Sequence, residues 1–361
     1  MRIGIIGLPA SGKTTIFELL THTRVEGGGR HAADPSIAVI KVPDPRLDYL
    51  AAMYQPNKVT PTAIEFVDFY GITRGTGKGE GLGSQFVTQM RLADALVEVV
   101  RAFRDESVAH VGGSVDPVRD ASVVDAELLL ADLDVVEKRL GRIEEAGRKG
   151  RKDGSPTERE ALTRCRAALE AGAPVRDVDL SDEEEKAIRG FQLLTAKPRI
   201  LLINLDEAQL GHEDAVLADL KATADHRRTA LLGLSAKVEL EVSALDPEAA
   251  AAFRADLGIH EDRTARLVRT SYDLLGLQTF LTTGEDEVRA WTVARGATAP
   301  QAAGVVHSDM EKGFIRAEVI AFDDLKAAGS MAAARKKGLV RLEGRDYVVR
   351  DGDILNIRFN L

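Results

Sequence analysis

RIGIIGLPASGKTTIFELL, residues 2–20, is the stretch of sequence that decides the fold. Its first part, RIGIIG from Arg2, is a short apolar run of the kind that forms a buried strand. The run continues into a turn marked by Gly7 and Gly12, and the apolar spacing from Thr14 to Leu20 predicts a helix. The order strand, turn and helix indicates an α/β protein whose sheet is mostly parallel.

The turn itself, GLPASGKT at residues 7–14, fits the pattern G-x-x-x-x-G-K-[ST] in the required context, after a strand and before a helix. Backbone N–H groups of such a loop surround phosphates together with the positive end of the helix, where a side chain at Gly12 would intrude. Lys13 adds a positive charge, and the Thr14 hydroxyl is a ligand for Mg²⁺. The residues expected to contact a purine nucleoside triphosphate here are Leu8, Pro9, Ala10, Ser11, Gly12, Lys13, Thr14 and Thr15.

A second element of the expected site begins at Asp68, which ends the apolar run AIEFVD. Residues 68–71 fit D-x-x-G, in which the carboxylate reaches magnesium through water and the amide of Gly71 senses the terminal phosphate. The glycine-rich stretch that follows Gly71 is predicted to be the moving part of the protein. The alternatives are a structural turn at Asp68 and a plain surface loop after it.

Two further segments follow predicted strands and are expected to meet the base. RILLINLDE places Asn204 to Glu207 where P-loop GTPases usually carry N-K-x-D, whose aspartate accepts hydrogen bonds from guanine. Here Leu205 replaces the lysine and Glu207 replaces the aspartate. The altered pair favours adenine, so ATP is expected over GTP. Ser235, Ala236 and Lys237 resemble the S-A-K element that closes over the base.

Four apolar runs besides the first have the character of buried parallel strands. They are AIEFVD (63–68), ALVEVVRAF (95–103), RILLIN (199–204) and TALLGLS (229–235). Residues 1–120 and 198–275 are therefore expected to form a nucleotide-binding domain, interrupted by a helical hairpin at 121–197. The hairpin is predicted from the helical pattern of Val118 to Glu145, and its apolar seam comprises Leu129, Leu133, Val136, Leu140 and Ile143.

Helix starts inside the hairpin are marked by two caps. Ser155 precedes Pro156 and has Glu158 three residues later, and Ser181 with Glu184 repeats the pattern. Beyond Gly276 the pattern changes, and residues 276–361 are expected to form a small α+β domain. Its predicted strands are EVRAWTV, FIRAEVIAF, YVVRDG and DILNIRFNL.

Several of these stretches resemble the YchF or Obg-like ATPase family: GLP..GKTT, VPDPRLDYL (42–50), EFVDFYGI, GTGKGEGLGSQF, NLDE and SAK. The resemblance covers nearly the whole chain. Its most diagnostic part is the run from LQTFLTTGEDEVRAWTV to FIRAEVIAF, which is similar to a TGS domain, a ubiquitin-like β-grasp module. The fold that the resemblance implies is a P-loop NTPase G domain with a coiled-coil hairpin insertion and a C-terminal TGS-like β-grasp domain.

The resemblance also implies an ATP-preferring hydrolase that associates with the ribosome. Ras-type proteins carry a water-orienting glutamine after D-x-x-G, whereas this family lacks it and this chain has Ile72 there. The family is thought to use a histidine from a later loop, and His110 matches that position. A neutral imidazole can accept a proton or hold water near pH 7; the alternative for a lone loop histidine is a structural or surface role.

Two departures from the family pattern leave questions open. Relatives usually have asparagine where Ala10 stands, which leaves a monovalent cation beside the phosphates in doubt. The first switch of the family supplies a threonine for magnesium, but GGGRHAADPSIAVIKVPD from Gly27 contains none. Sensing of the active state is then weak, routed through Ser36, or lost, and turnover is expected to be slow.

Composition narrows the remaining classes. The net charge of −9 and pI near 5.4 argue against coating nucleic acid by bulk charge, although a local basic patch such as Arg335 to Lys337 stays possible. The single cysteine, Cys165, excludes an internal disulfide and a cysteine-rich metal site. We expect a cytoplasmic monomer without a membrane segment. Two other functions remain open, a catalytically silent nucleotide-dependent scaffold and a P-loop small-molecule kinase.

Overall fold

The computed structural model describes residues 1–21, 36–69, 84–259 and 261–360. These residues pack as two units, one of residues 1–39 and 65–267, the other of residues 40–64 and 268–361. The strands are β1 (Arg2–Ile6), β2 (Ser36–Lys41), β3 (Lys58–Thr60), β4 (Ala63–Asp68), β5 (Ala95–Arg101), β6 (Arg199–Asn204), β7 (Thr229–Leu234), β8 (Leu277–Thr282), β9 (Glu287–Ala294), β10 (Phe314–Ala321), β11 (Arg341–Glu343) and β12 (Asp353–Phe359).

Helices connect most of these strands. They are α1 (Lys13–Thr21), α2 (Pro45–Tyr54), α3 (Ser84–Arg91), α4 (Pro117–Arg148), α5 (Pro156–Glu170), α6 (Asp182–Ile188), α7 (Asp214–Ala224), α8 (Ala236–Ser243), α9 (Pro247–Asp256), α10 (Arg263–Leu274), α11 (Ala299–Val306), α12 (Ser308–Lys312), α13 (Phe322–Ala328) and α14 (Met331–Lys336). Within the described ranges, no helix has both the length and the apolar character needed to cross a membrane.

The first unit is built on a six-stranded sheet in the order β2-β4-β1-β5-β6-β7. Strand β1 pairs in parallel with β4 and β5, and β5, β6 and β7 continue the parallel pairing. All residues of β5 and β6 are buried, as expected for central strands covered by helices on both faces. The five predicted strands of this sheet are confirmed, while β2 was not predicted. The carboxyl ends of β1, β4 and β6 meet at one edge, which is where the loops with the predicted motifs begin.

The helical insertion is confirmed as a pair of helices, α4 and α5, that share an apolar cluster. The predicted seam residues Val136, Leu140 and Ile143 are buried in this cluster against Leu162 and Cys165 of α5. Both predicted caps are present, because the hydroxyls of the serines at 155 and 181 accept the backbone N–H three residues later. Helix α4 begins at Pro117, four residues before the predicted start of the insertion.

The base of the insertion is fixed by a buried carboxylate on α4. Asp132 accepts the backbone N–H groups of Leu194 and Thr195 at 2.9 and 2.7 Å, and it pairs with Arg91 of α3 at 3.0 Å. A buried aspartate with this many donors is fully satisfied, and these bonds offset the cost of burying its charge. It ties the segment that follows the insertion to the long helix α4.

The second unit is built on a mixed sheet in the order β11-β10-β12-β8-β9-β3. One face is covered by α11, whose Ala303 shares an apolar cluster with Phe280 of β8 and Val319 of β10. The other face is covered by α2 and α13 through residues such as Leu50 and Leu325. Alternate residues of each strand supply the two faces, which is the period of a pleated strand. This is the predicted β-grasp architecture.

One strand prediction for this unit is wrong, and one strand was missed. The run YVVRDG is not a strand, because Val348 makes a single bridge to Thr298 and the chain then turns at Gly352, whose φ is +81°. The Tyr347 hydroxyl bonds to Asp353 at 2.7 Å, which holds this segment as a loop beside the sheet. The run LQTFLT, by contrast, forms the interior strand β8, which the strand pattern did not single out.

Residues 40–64 differ most from expectation, because they pack with the C-terminal unit and not with the predicted nucleotide domain. Helix α2 buries Leu47 and Leu50, and Tyr49 meets Phe322 edge to face at 5.6 Å. Strand β3 pairs in parallel with β9 at the edge of the sheet. Arg46 joins Asp44 and Asp351, so the motif VPDPRLDYL is a docking element of the C-terminal unit.

Candidate nucleotide-binding site

The loop between β1 and α1 has the backbone shape of a phosphate cradle. Gly7 and Gly12 have φ values of +140° and +94°, which other residues rarely adopt. A Cβ at Gly7 would lie 2.3 Å from the Val99 carbonyl oxygen, and one at Gly12 would lie 2.2 Å from Asn204 Nδ2. Both glycines are therefore required by the neighbouring strands β5 and β6 as well as by the turn.

Ala10 is the one non-glycine residue of this loop in the left-handed region, with φ of +61°. Asparagine tolerates that region better than alanine does, because its short polar side chain can bond locally. The substitution at position 10 therefore carries a conformational cost in addition to removing an amide side chain. The side chain of Ala10 is exposed, so packing does not offset the cost.

Lys13 and Asp68 form the charged centre of the site. The Lys13 ammonium donates to the carbonyl oxygens of Gly7 and Leu8 at 3.0 and 2.7 Å, so it folds back over its own loop. Burial lowers the pKa of Lys13 to about 8, and the neighbouring Asp68 carboxylate opposes this. Burial raises the pKa of Asp68 to about 6, opposed by the charge of Lys13.

Asp68 is only 1% exposed, and its Oδ2 atom has no hydrogen-bond partner among the residues that the structure describes. An unpartnered buried carboxylate oxygen is costly and is found mainly where a ligand or ion completes the site. Thr14 lies on the first turn of α1, one residue beyond Lys13. The residues present therefore fit a magnesium ion held between the Thr14 hydroxyl and, through water, Asp68.

Asn204 links the phosphate loop to the S-A-K segment. Its Nδ2 donates to the Ser11 carbonyl oxygen at 3.0 Å, and its Oδ1 accepts from the Ala236 backbone N–H at 3.0 Å. The side chain is 4% exposed, so both ends of the amide are satisfied by backbone alone. Ser235 and Ala236 are buried beside it, and Lys237 stands exposed at the start of α8.

The two residues expected to read the base are placed differently from one another. Leu205 is 1% exposed and packs into the core cluster under β7, so its side chain does not face the site. Glu207 is exposed at the start of a short turn. Asp206 between them caps that turn and accepts the Arg104 N–H at 3.2 Å. Gly71, Ile72 and the glycine-rich stretch after them lie outside the described residues, as does Gly27 of the first-switch segment, while Ser36 begins β2.

His110 lies beside the phosphate loop, but both ring nitrogens are already bonded. Nε2 is 2.7 Å from Asp120 Oδ2, and the Gly112 N–H donates to Nδ1 at 2.9 Å. His110 and Asp120 border a small space together with Leu8 and Ser11. The sequence interpretation treated His110 as a lone loop histidine and missed Asp120, although the first turn of a helix after Asp116 and Pro117 was a visible place for such a partner.

Arg101 organises the chain that leads to His110. Its guanidinium lies 4.4 Å from the centre of the Phe103 ring and donates to the carbonyl oxygens of Phe103, Asp105 and Val108. Arg101 is 3% exposed. The loop between β5 and α4 is thus held from inside by one arginine, a role that its position at the end of an apolar strand did not suggest.

These features define the chain as a P-loop protein. It has an α/β fold, a carboxylate at the end of the adjacent strand, and an asparagine that ties the loop to a neighbouring turn. A family model named YchF-GTPase_C, described as a protein of unknown function (DUF933), matches residues 277–360. The chain is 42% identical to the "Ribosome-binding ATPase YchF" of Bacillus subtilis over 364 residues, covering 99% of each. It is 36% identical to "Obg-like ATPase 1" of rice over 365 residues, covering 100% of this chain and 92% of that one.

A solved structure, that of the Schizosaccharomyces pombe YchF GTPase, superposes with a TM-score of 0.85 at 33% identity, covering 99% of this chain and 97% of that chain. The chain belongs to the YchF or Obg-like ATPase family. The resemblance noted in the sequence is therefore confirmed, and the fold class with it: a P-loop G domain with a mostly parallel sheet, a helical hairpin insertion and a C-terminal TGS-like β-grasp domain.

Proposed function

We propose that this chain binds a purine nucleoside triphosphate with Mg²⁺ on the loop at residues 7–14 and hydrolyses it slowly, with ATP preferred over GTP. The observation that carries the proposal is the buried Asp68 carboxylate near Lys13, because its Oδ2 lacks a hydrogen-bond partner in the described part of the chain. Bound magnesium would neutralise charge on the terminal phosphates. Lys13 would exchange its two carbonyl acceptors for phosphate oxygens.

The remaining predicted residues have defined tasks in this proposal. Backbone N–H groups of the loop from Leu8 to Thr15, except at Pro9, which has none, bind the phosphates. Thr14 and Asp68 hold the metal, and Gly71 senses the terminal phosphate. Asn204 keeps the loop and the Ser235–Lys237 segment in register. Preference for adenine is supported by Leu205, which stands where N-K-x-D has its lysine and whose side chain is buried. It is also supported by Glu207, whose side chain is longer than that of the aspartate it replaces.

Association with the ribosome is the proposed purpose of the cycle. Its support is that relatives matching nearly the whole chain are named ribosome-binding ATPases. We also propose that the helical hairpin and the TGS-like domain act as separate arms of one monomer. The nucleotide domain, expected at residues 1–120 and 198–275, lacks residues 40–64 and 268–275, which pack with the C-terminal unit.

The test is equilibrium binding of ATP and GTP, with and without Mg²⁺, to wild type and to Lys13→Ala. The matched control is Lys138→Ala, an exposed lysine on α4 that pairs with Asp134. We expect tighter binding of ATP, dependent on Mg²⁺, lost in Lys13→Ala and kept in the control. Equal binding by Lys13→Ala would contradict the site, and tighter binding of GTP would contradict the assignment of the base.

A second candidate is a nucleotide-dependent scaffold that does not hydrolyse. It is favoured by one observation, that both nitrogens of His110 are occupied in this structure. Phosphate release measured with and without ribosomes, beside a screen of small-molecule acceptors, separates hydrolase, scaffold and kinase. A rate that rises above background only with ribosomes supports the leading proposal, and release into an acceptor supports a kinase.

A further inference from the structure

The hydrogen bonds of His110 fix which of its nitrogens carries the proton. A backbone N–H can only donate, so Nδ1, which receives the Gly112 N–H at 2.9 Å, must be the acceptor. In the neutral ring the proton then lies on Nε2, which faces Asp120 Oδ2 at 2.7 Å. The side chain of His110 is 6% exposed and that of Asp120 is 5% exposed, so water does not compete for this bond.

Asp120 is itself held in place by its second oxygen. Oδ1 accepts two N–H groups of Arg119, from Nε at 3.1 Å and from Nη2 at 2.8 Å. Arg119 also donates to the Ser114 carbonyl oxygen at 2.6 Å. Each oxygen of the carboxylate thus has a separate partner, one on the ring and one on an arginine anchored to the loop that follows His110.

We propose that Asp120 is the positioning residue of hydrolysis: it holds Nε2–H of His110, and so presents Nδ1 as the ring atom that meets the attacking water. This inference rests on the proposed function, in which His110 serves the hydrolytic step. A neutral imidazole has one lone pair, and the bond to Asp120 assigns that lone pair to Nδ1. When the water oxygen bonds to the terminal phosphorus, the bond from that phosphorus to the β,γ-bridging oxygen breaks and the nucleoside diphosphate leaves with its electron pair. The proton of the water passes to Nδ1, and the carboxylate stabilises the imidazolium.

In the structure the Gly112 N–H occupies Nδ1, so the ring must lose this bond before it can meet water. The neighbouring Gly113 has φ of +79°, and a Cβ there would touch nothing within 4 Å. A Cβ at Gly112 would lie 2.8 Å from Arg119 Nη2, so Gly112 lies against that guanidinium and the free space is at Gly113. Rotation of the backbone at Gly113 would turn the Gly112 N–H away from Nδ1 while the bond to Asp120 stays. The arrangement in the structure and the arrangement that meets water then share the Nε2–H tautomer, and they differ only in the group bonded to Nδ1.

The experiment measures kcat, KM and nucleotide affinity of the full chain for His110→Ala, Asp120→Ala, Asp120→Glu and the double variant of the first two. His110→Ala should lower kcat by about 10²- to 10⁴-fold. Asp120→Ala should lower kcat by about 10- to 100-fold, the range seen when an outer partner of a functional histidine is lost. Binding of ATP should change by less than about twofold in both, because neither side chain belongs to the proposed phosphate cradle.

Three readouts separate positioning from a structural role. Asp120→Ala should have no further effect on kcat in the His110→Ala background, because it acts only through the ring. Asp120→Glu should recover part of the loss. Ring nitrogen NMR of His110 should show the Nε2–H tautomer in wild type and lose that fixed form in Asp120→Ala. Asp134→Ala, an exposed acid on the same helix, is the matched control and should match wild type.

The outcomes distinguish this inference from the proposed function. If wild type does not hydrolyse any triphosphate, or if His110→Ala hydrolyses at the wild-type rate, the proposed function fails and the inference with it. If His110→Ala is impaired and Asp120→Ala is not, the inference alone is overturned. An equal loss from Asp120→Ala with and without His110 also overturns it, because the carboxylate would then act by another route.

Discussion

Replacing Asp68 by asparagine should make the nucleotide-free protein more stable while removing its use of magnesium. Burial raises the pKa of Asp68 from 3.8 to about 6, which corresponds to a cost of about 3 kcal/mol at neutral pH. Asparagine removes the charge but stays buried, and Lys13 loses its neighbouring carboxylate. We therefore expect a net gain of about 1–2 kcal/mol in the free energy of unfolding.

The raised pKa of Asp68 also predicts how the stability gain of Asp68→Asn changes with pH. Because the folded-state pKa is raised, the folded protein binds more protons than the unfolded chain between pH 3.8 and about 6. The cost of Asp68 is therefore fully present above pH 6 and disappears as the pH falls towards 4. The advantage of Asp68→Asn over wild type should shrink over the same interval.

The assay is urea unfolding at pH 7.5 and pH 4.5, followed by thermal unfolding with ATP in the presence and absence of Mg²⁺. Asp219→Asn, on the exposed face of α7, is the matched control and should leave both measurements unchanged. ATP should raise the unfolding temperature of Asp68→Asn equally with and without Mg²⁺. A variant less stable than wild type at pH 7.5, or one that keeps a magnesium-dependent rise, would refute the reasoning.

Three more outcomes follow from other sites. Ala10→Gly should raise the free energy of unfolding by about 1 kcal/mol, because it relieves a left-handed alanine; a fall in the urea midpoint would contradict this. Arg199→Met should cost about 3–5 kcal/mol, since it leaves the fully buried Glu98 without its counter-charge, and adding Glu98→Gln should recover most of the loss in the same urea assay. Cys165, whose pKa burial raises to about 11, should react with a thiol reagent at pH 8 only at the rate of unfolding; fast labelling of the native protein would show that the hairpin opens.

Local patterns predicted the parts of this molecule whose partners are near in sequence. The phosphate loop, the caps at Ser155 and Ser181, and the apolar seam of α4 each depend on residues within one or two turns. The fate of residues 40–64 depends on a sheet more than two hundred residues later, so no local pattern reveals it. The tautomer of His110 likewise depends on Asp120 and on a backbone N–H whose direction only the folded loop sets.

For two of the expected site residues, Asn204 and Leu205, the structure shows contacts that the sequence did not indicate. Asn204 was assigned to the base, and in the structure it also braces the phosphate loop, which explains why Gly12 has no room for a side chain. Leu205 was counted as a base contact, but its side chain belongs to the core because the strand β6 ends one residue earlier in a buried position. Periodicity does not show whether an apolar residue just after a strand, such as Leu205, lies in the core or in the site, because the pattern ends with the strand.

The interleaved path of the chain limits how the protein can be divided. A fragment that begins at residue 268 would lack α2 and β3, and the cluster that contains Leu281, Val288 and Ile354 would lose Leu47 and Leu50. A chimaera that keeps Leu47 and Leu50 of this chain but takes the C-terminal region of a relative would pack α2 against a sheet from another protein. A cleanly exchangeable module must carry residues 40–64 with it, for example in a genetic fusion of that segment to residues 268–361.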